Sequence, residues 1–284
     1  MTPHPTPPEH VSAPAHGSAS PHGSIPEHGI IAGLDRAAEV RAAGSDYTEL
    51  TVVGCLLVED EAGEWGPPAG VHPAPEAPSV AILCPGTMRL SDPAVPLEET
   101  AHYLRAAMAA IAPWARPGAT IVLGSGASRR VPEGVPRAAA EERFAASVRC
   151  ARDLAAAHDL EALLEPLHRG ETDMVTTLAG GAAFLDAHGL GDMRLVADLF
   201  HVMGEGEDIE VVHRLAGRVG HAHIADTDRR PPGQGDWPLG EFLTALREGG
   251  YGGHVSIECF TWQDIAVEGR AALAAVRGAD PALA

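Results

Sequence analysis

The sequence predicts an α/β protein, a (β/α)8 TIM barrel in a single domain, and three observations carry that prediction. Short β-type runs alternate with Ala-rich amphipathic stretches through eight units between residues 28 and 278, a pattern that calls for a parallel sheet closed on itself. Four polar residues, Glu165, Asp198, His223 and Glu258, each end an apolar run, and in a barrel such strand ends converge on one mouth. The first run leads into Ile-Ala-Gly-Leu-Asp-Arg-Ala (31–37), which lacks the Gly-rich phosphate turn that an open doubly wound sheet would need.

The elements follow in order. Residues 28–34 form a first strand, with Asp35 capping a short helix that ends near Gly44. Strands are expected at 47–53, at 79–84 before the Pro-Gly turn of 85–86, and at 119–123. Helices are expected at 97–114 and 137–158, the latter with Phe144, Val148 and Leu154 on its apolar side. Strands 161–165, 193–198, 219–224 and 253–258 then alternate with helices 173–188, 207–217, 239–248 and 264–277. The second unit is the exception. Residues 56–78 are rich in Gly, Pro and Glu, so a loop or a degraded second helix is expected there.

The ends differ from the middle. Residues 1–27 are Pro, His, Ser, Gly and Ala with few large apolar side chains, the composition of a disordered leader. Its histidines continue a six-residue spacing through positions 4, 10, 16, 22 and 28. A biased low-complexity segment accounts for this more simply than a metal-gathering tail. The catalytic barrel domain is placed at 28–278, with 279–284 as a tail.

Composition narrows the chemistry. With 20 basic and 39 acidic residues the formal charge is −19, which argues against a nucleic-acid partner. All the basic residues are Arg; the chain has no Lys. That excludes Schiff-base and pyridoxal-lysine chemistry and leaves carboxylates, His or a metal. Cys55, Cys84, Cys150 and Cys259 have no CxxC spacing and read as reduced thiols of an intracellular protein. With no apolar signal-type start and no membrane-length apolar run, a cytoplasmic location without membrane contact is expected.

The four strand-end residues are separated by 33, 25 and 35 positions, each about one strand–helix unit. Three carboxylates and an imidazole suit one divalent cation: Mn²⁺, Mg²⁺, Co²⁺ or Zn²⁺. Such a cation polarises a sugar carbonyl and acidifies the neighbouring C–H. Two carboxylates on opposite sides of the substrate then serve as base and acid, one removing a proton and the other returning one to the opposite face. Singly, Glu165 could merely end a strand, Asp198 cap a turn and His223 fill a core; four such groups at successive strand ends are harder to dismiss.

The segments Leu-Glu-Pro-Leu-His-Arg-Gly-Glu-Thr-Asp (164–173), Asp-Leu-Phe-His (198–201), His-Ala-His-Ile-Ala-Asp-Thr-Asp-Arg-Arg-Pro-Pro-Gly-Gln-Gly (221–235) and Val-Ser-Ile-Glu (255–258) resemble the xylose isomerase-like sugar phosphate isomerase/epimerase superfamily. Within it they are most similar to the D-tagatose 3-epimerase, or ketose 3-epimerase, branch. The resemblance implies a barrel whose metal, Mn²⁺ foremost, is held by Glu165, Asp198, His223 and Glu258, with Glu165 and Glu258 as the acid/base pair. It also implies substrate contacts from Glu171, His201 and Arg229, a small sugar as substrate, and a homodimer or homotetramer. The implied activity is a sugar epimerase or isomerase. Related metal sites also support dehydration, as in inosose dehydratases, and hydroxypyruvate-type aldose–ketose isomerisation. An endonuclease IV-like phosphodiesterase would need a basic face, and a sensor barrel would have no use for an acid/base pair.

Departures are local. The family often has Asn where this chain has His168, and an aromatic where it has Gly170. His168 and His221 are second-layer candidates, while His213 and His254 read as ordinary. With 4% aromatic residues, the apolar wall for a sugar would come from Trp65, Phe200 or Trp262. The turn 123–130 offers amides and two arginines to a phosphate or distal hydroxyl, although a tight turn with solvated arginines is the simpler reading. The Gly/Pro-rich stretch 229–235 is suited to a lid.

Overall fold

In the computed structural model, which describes residues 25–74 and 76–283, eight parallel strands close into a barrel. The first half runs β1 (His28–Ala32), α1 (Ala37–Ala42), β2 (Tyr47–Thr51), β3 (Val58–Glu59), β4 (Trp65–Gly66), β5 (Ala77–Ala81), α2 (Leu97–Ile111), β6 (Ala115–Leu123) and α3 (Arg137–Ala156). The second runs β7 (Glu161–Leu164), α4 (Leu178–Ala187), β8 (Leu195–Asp198), α5 (Leu199–Glu205), α6 (Ile209–Leu215), β9 (Val219–Ile224), α7 (Leu239–Glu248), β10 (Val255–Ile257) and α8 (Ile265–Ala279). Around the barrel the order is β1, β2, β5, β6, β7, β8, β9, β10, and β1 pairs with β10 to close it, Ile30 opposite Ile257.

Strand parity separates two cores. Ile31, Ala81, Val122, Leu163 and Val196 pack together inside the barrel. Their strand neighbours, among them Ile30, Val80, Ile121, Leu164 and Ala197, belong to the larger core under the helices. The inward positions continue upward as Glu165 and Asp198, two residues beyond Leu163 and Val196. The parity that fills the barrel therefore also aims the polar residues into its mouth.

Two departures from expectation have local causes. Among the described residues no helix lies between β2 and β5; β3 and β4 form a short antiparallel hairpin, and Trp65 packs edge-on against Tyr103 of α2 with centroids 5.1 Å apart. The Gly/Pro content of this stretch leaves no helical run to form. After β8, an additional helix, α5, begins at the strand's last residue. Asp198 caps it by accepting from the Phe200 amide at 2.8 Å. Helix α4 starts at Leu178 rather than 173, capped by Thr177, because 166–177 is a loop over the barrel mouth.

All four cysteines are free, with Cys84 and Cys259 buried. The histidine series expected at positions 4, 10, 16 and 22, and the leader up to residue 24, lie outside the described residues. Glu27 already belongs to the barrel: its carbonyl accepts from the Val255 amide and its carboxylate pairs with Arg116 at 2.6 Å. At the other end Asp280 is buried, accepting from Arg247 at 2.7 Å and facing His28 Nε2 at 3.0 Å. The stretch assigned to a tail thus carries an anchor. Although burial opposes it, His28 and Arg247 hold the Asp280 carboxyl below its ordinary range. That stabilisation is present at neutral pH and is lost as pH falls. Asp280→Ala strands a buried guanidinium and is expected to cost about 3 kcal/mol; urea unfolding of both proteins at pH 7 checks the size, and a difference between them that shrinks only below about pH 4 checks the sign.

Candidate active site

Glu165 follows β7, Asp198 ends β8, His223 lies in β9 and Glu258 follows β10. All four are buried, and one ligand atom from each lies within 4.8 Å of the others. His223 Nδ1 is 3.2 Å from Glu165 Oε1 and 3.3 Å from Glu258 Oε2. Asp198 divides its work: Oδ1 caps α5, while Oδ2 is buried without a hydrogen-bond partner.

The three residues expected around the substrate meet in the same cavity of about 220 Å³, lined also by Ile82, Val122, Leu167 and Phe260. Arg229 Nη2 is 2.9 Å from His201 Nε2 and 3.4 Å from Glu171 Oε1. Arg229 Nη1 is 2.9 Å from Glu258 Oε2. These last two atoms are close but misaligned, and both lack a true hydrogen bond. The guanidinium lies between two rings, 4.3 Å from the Phe200 centroid and 5.0 Å from that of Phe260, a placement favourable to the cation. Asp228 and Arg229 both have positive φ, 58° and 54°, strain of the kind that collects where a side chain must be aimed.

His168 lies outside this cavity lining, with its Nδ1 3.0 Å from His201 Nδ1. His221 lies below the mouth, its Nε2 2.9 Å from Glu49 Oε2.

The electrostatics are those of crowded carboxylates. Burial pushes the Asp198 carboxyl up to about 8, with Glu258 and Glu165 adding to the rise and Arg229 opposing it. Burial and the Glu258 charge likewise raise Glu165. Glu258 goes the other way: burial opposes ionisation, but the Arg229 guanidinium and His223 hold it well below the ordinary range. Burial and Arg229 take His201 down to about 2, so it is a neutral imidazole. Unpartnered oxygens on Asp198 and Glu258, beside an imidazole nitrogen, form a donor set that fits one divalent cation.

Several expectations need correction. Neither Trp65, Phe200 nor Trp262 lines the cavity; its apolar wall is Ile82, Val122, Leu167 and Phe260. Ile82 has φ 56°, which is unusual for a β-branched residue. Arg129 is not solvated but fully buried, donating to the Glu165 carbonyl at 2.8 Å, while Arg130 donates to the Gly170 carbonyl at 3.0 Å. Both arginines fasten the chain after β7, and burial takes Arg129 out of reach of a phosphate. The 229–235 stretch is pinned rather than lid-like, because Asp226 accepts from the amides of Thr227, Gly233, Gly235 and Trp237 at 2.8–3.1 Å.

Two contributors escaped the sequence reading. Glu49 on β2 is fully buried beneath His223 and forms a further potential ligand group with His221 and His223. Its only signal in sequence was a charge sharing strand parity with Tyr47. Gly124, just after β6, leaves room for Glu165: a Cβ there would overlap Glu165 Oε2. Gly124→Ala is expected to displace that carboxylate and lower turnover about 100-fold, with the urea midpoint nearly unchanged; parallel kinetics and unfolding curves check it.

A family model described as the xylose isomerase-like TIM barrel matches residues 38–276. The chain belongs to this family. It is 36% identical to a D-psicose 3-epimerase of Agrobacterium fabrum over 98 residues, 34% of each chain. Over 113 residues it is 30% identical to a 3-dehydro-D-guloside 4-epimerase of Escherichia coli, covering 39% of this chain and 43% of the relative. These matches span well under half of the relatives' length. The fold extends further. An L-ribulose 3-epimerase structure superposes with TM-score 0.71 at 19% identity, over 90% of this chain and 96% of its own. The IolI protein with a bound zinc atom gives 0.61 at 15% identity, over 89% and 96%.

Proposed function

We propose that this xylose isomerase-like barrel is a divalent-metal-dependent isomerase or epimerase of small, unphosphorylated polyhydroxy ketones. The observation that carries the reading is the buried Glu165–Asp198–His223–Glu258 cluster with its unpartnered oxygens. The named activities of its epimerase relatives agree with it. Glu165, Asp198, His223 and Glu258 would hold the cation, Mn²⁺ foremost, which when bound supplies charge stabilisation to a carbonyl and its adjacent hydroxyl.

The proton chemistry falls to Glu165 and Glu258, which approach His223 Nδ1 from β7 and β10 on either side of β8 and β9. Their environments push them apart, as acid/base pairs require. Glu258, ionised beside Arg229, removes the proton on the carbon next to the carbonyl. Glu165, with its raised affinity for a proton, donates to the opposite face of the enediolate. His201 and Arg229 orient the reacting oxygens, and Glu171 accepts from a more distant hydroxyl.

Among the described residues Arg229 is the only arginine lining the cavity, and it is already engaged by Glu258 and Glu171. That favours a neutral sugar over a phosphorylated or carboxylate substrate such as hydroxypyruvate. The test is to incubate ketopentoses and ketohexoses with enzyme and Mn²⁺ in deuterated water. Deuterium at the carbon beside the carbonyl, with formation of the epimer, is expected for at least one sugar. Absence of exchange across the panel would overturn the reading.

A further inference from the structure

Beneath the cation cluster lies a second buried layer that the proton chemistry leaves unused. Glu49 is fully buried. Its Oε1 accepts from Ser79 Oγ at 2.6 Å, and its Oε2 faces His221 Nε2 at 2.9 Å. His223 Nε2 lies 3.4 Å from Oε1 and 3.3 Å from Oε2. Tyr47 Oη, 2.7 Å from Ser256 Oγ, continues the network, and Ser256 Oγ is 3.2 Å from His221 Nε2.

A carboxylate can only accept, so an imidazole nitrogen turned towards it must carry a proton. Were His223 Nε2 bare, two lone pairs would face each other in a site that excludes water, which costs more than in solution. Nδ1 faces carboxylates as well and by the same rule carries a proton until a cation takes its place, at which point the lone pair of His223 is on Nδ1. That atom is the one 3.2 Å from Glu165 and 3.3 Å from Glu258.

We propose that Glu49 is a positioning residue that holds the proton of His223 on Nε2 and so presents Nδ1 to the cation. The consequence for cation affinity rests on the function proposed above; the place of the proton does not. Carboxylates behind ligating histidines commonly shift metal affinity 10- to 100-fold, and Glu49 stands where such a group would act.

The experiment uses the full chain labelled with ¹⁵N-histidine, the His223 signals being identified by their loss in His223→Gln. In metal-free wild type a proton on His223 Nε2 is expected; Nε2 bare with the proton on Nδ1 would overturn the proposal, whatever any variant does. In Glu49→Gln, chelator competition should show Mn²⁺ and Zn²⁺ bound about 10- to 100-fold more weakly. An unchanged dissociation constant with an unchanged Nε2 resonance would also overturn it. If wild type binds neither ion, the proposed function fails, while the Nε2 result still decides the role of Glu49.

Discussion

Glu258→Gln is expected to lower turnover of the responsive ketose by about 10³- to 10⁴-fold, at the upper end of what a positioned acid or base contributes. The loss exceeds that of an ordinary ligand because one side chain has three tasks. It offers an oxygen to the cation, removes the proton, and balances Arg229 at 2.9 Å. An amide keeps the shape and abolishes the basicity. Glu165→Gln should be similarly impaired, yet the two should differ in solvent exchange. If Glu258 and Glu165 serve opposite faces, each single variant loses washout of deuterium from one epimer more severely than from the other. Equal loss from both epimers, or retained turnover in either variant, would count against the two-face assignment. Far-ultraviolet circular dichroism separates this from unfolding.

Stripping divalent cations should abolish turnover and lower thermal stability, and the stability effect has a defined pH dependence. Asp198, raised from 3.8 to about 8, binds a proton in the folded, metal-free protein that the unfolded chain has already lost. Its contribution is therefore full below about pH 4 and disappears as pH rises through 8. Glu165 shifts in the same direction. A cation competes with those protons and binds more tightly as they leave. The gap in unfolding temperature between Mn²⁺-loaded and chelator-treated protein should thus widen from pH 6 to pH 9. A gap that stays constant or narrows would mean that these carboxylates are not the binding groups.

What could be read from the sequence and what could not have a common physical origin. Glu165, Asp198, His223 and Glu258 were legible because each ends an apolar run, and a parallel barrel brings all such ends to one side. Arg229 and His201 were indicated by the family resemblance of the same segments. Glu49 was not legible. In Tyr-Thr-Glu-Leu-Thr (47–51) an isolated carboxylate reads as the wet side of a half-buried strand, and only closure of the barrel turns that side inward. Arg129 misled for a related reason: beside Gly124 and Gly126 it suggests an open turn, yet it reaches the Glu165 carbonyl through the core. Helix α5 was missed because Leu-Phe-His-Val-Met-Gly-Glu (199–205) is too short for a periodicity to register. Phe260 lies just past Glu258 and outside any strand, and only the folded chain brings it over Arg229, 5.0 Å from the guanidinium.

Among the described residues three buried or half-buried groups could hold a cation: Glu165–Asp198–His223–Glu258, Glu49–His221–His223, and His168–Glu171–His201. Anomalous diffraction from crystals soaked in Mn²⁺ distinguishes them directly. A single peak per chain is expected, about 2.0–2.3 Å from an oxygen of each carboxylate and from His223 Nδ1. A peak on either of the other groups, or no peak at saturating Mn²⁺, would contradict it.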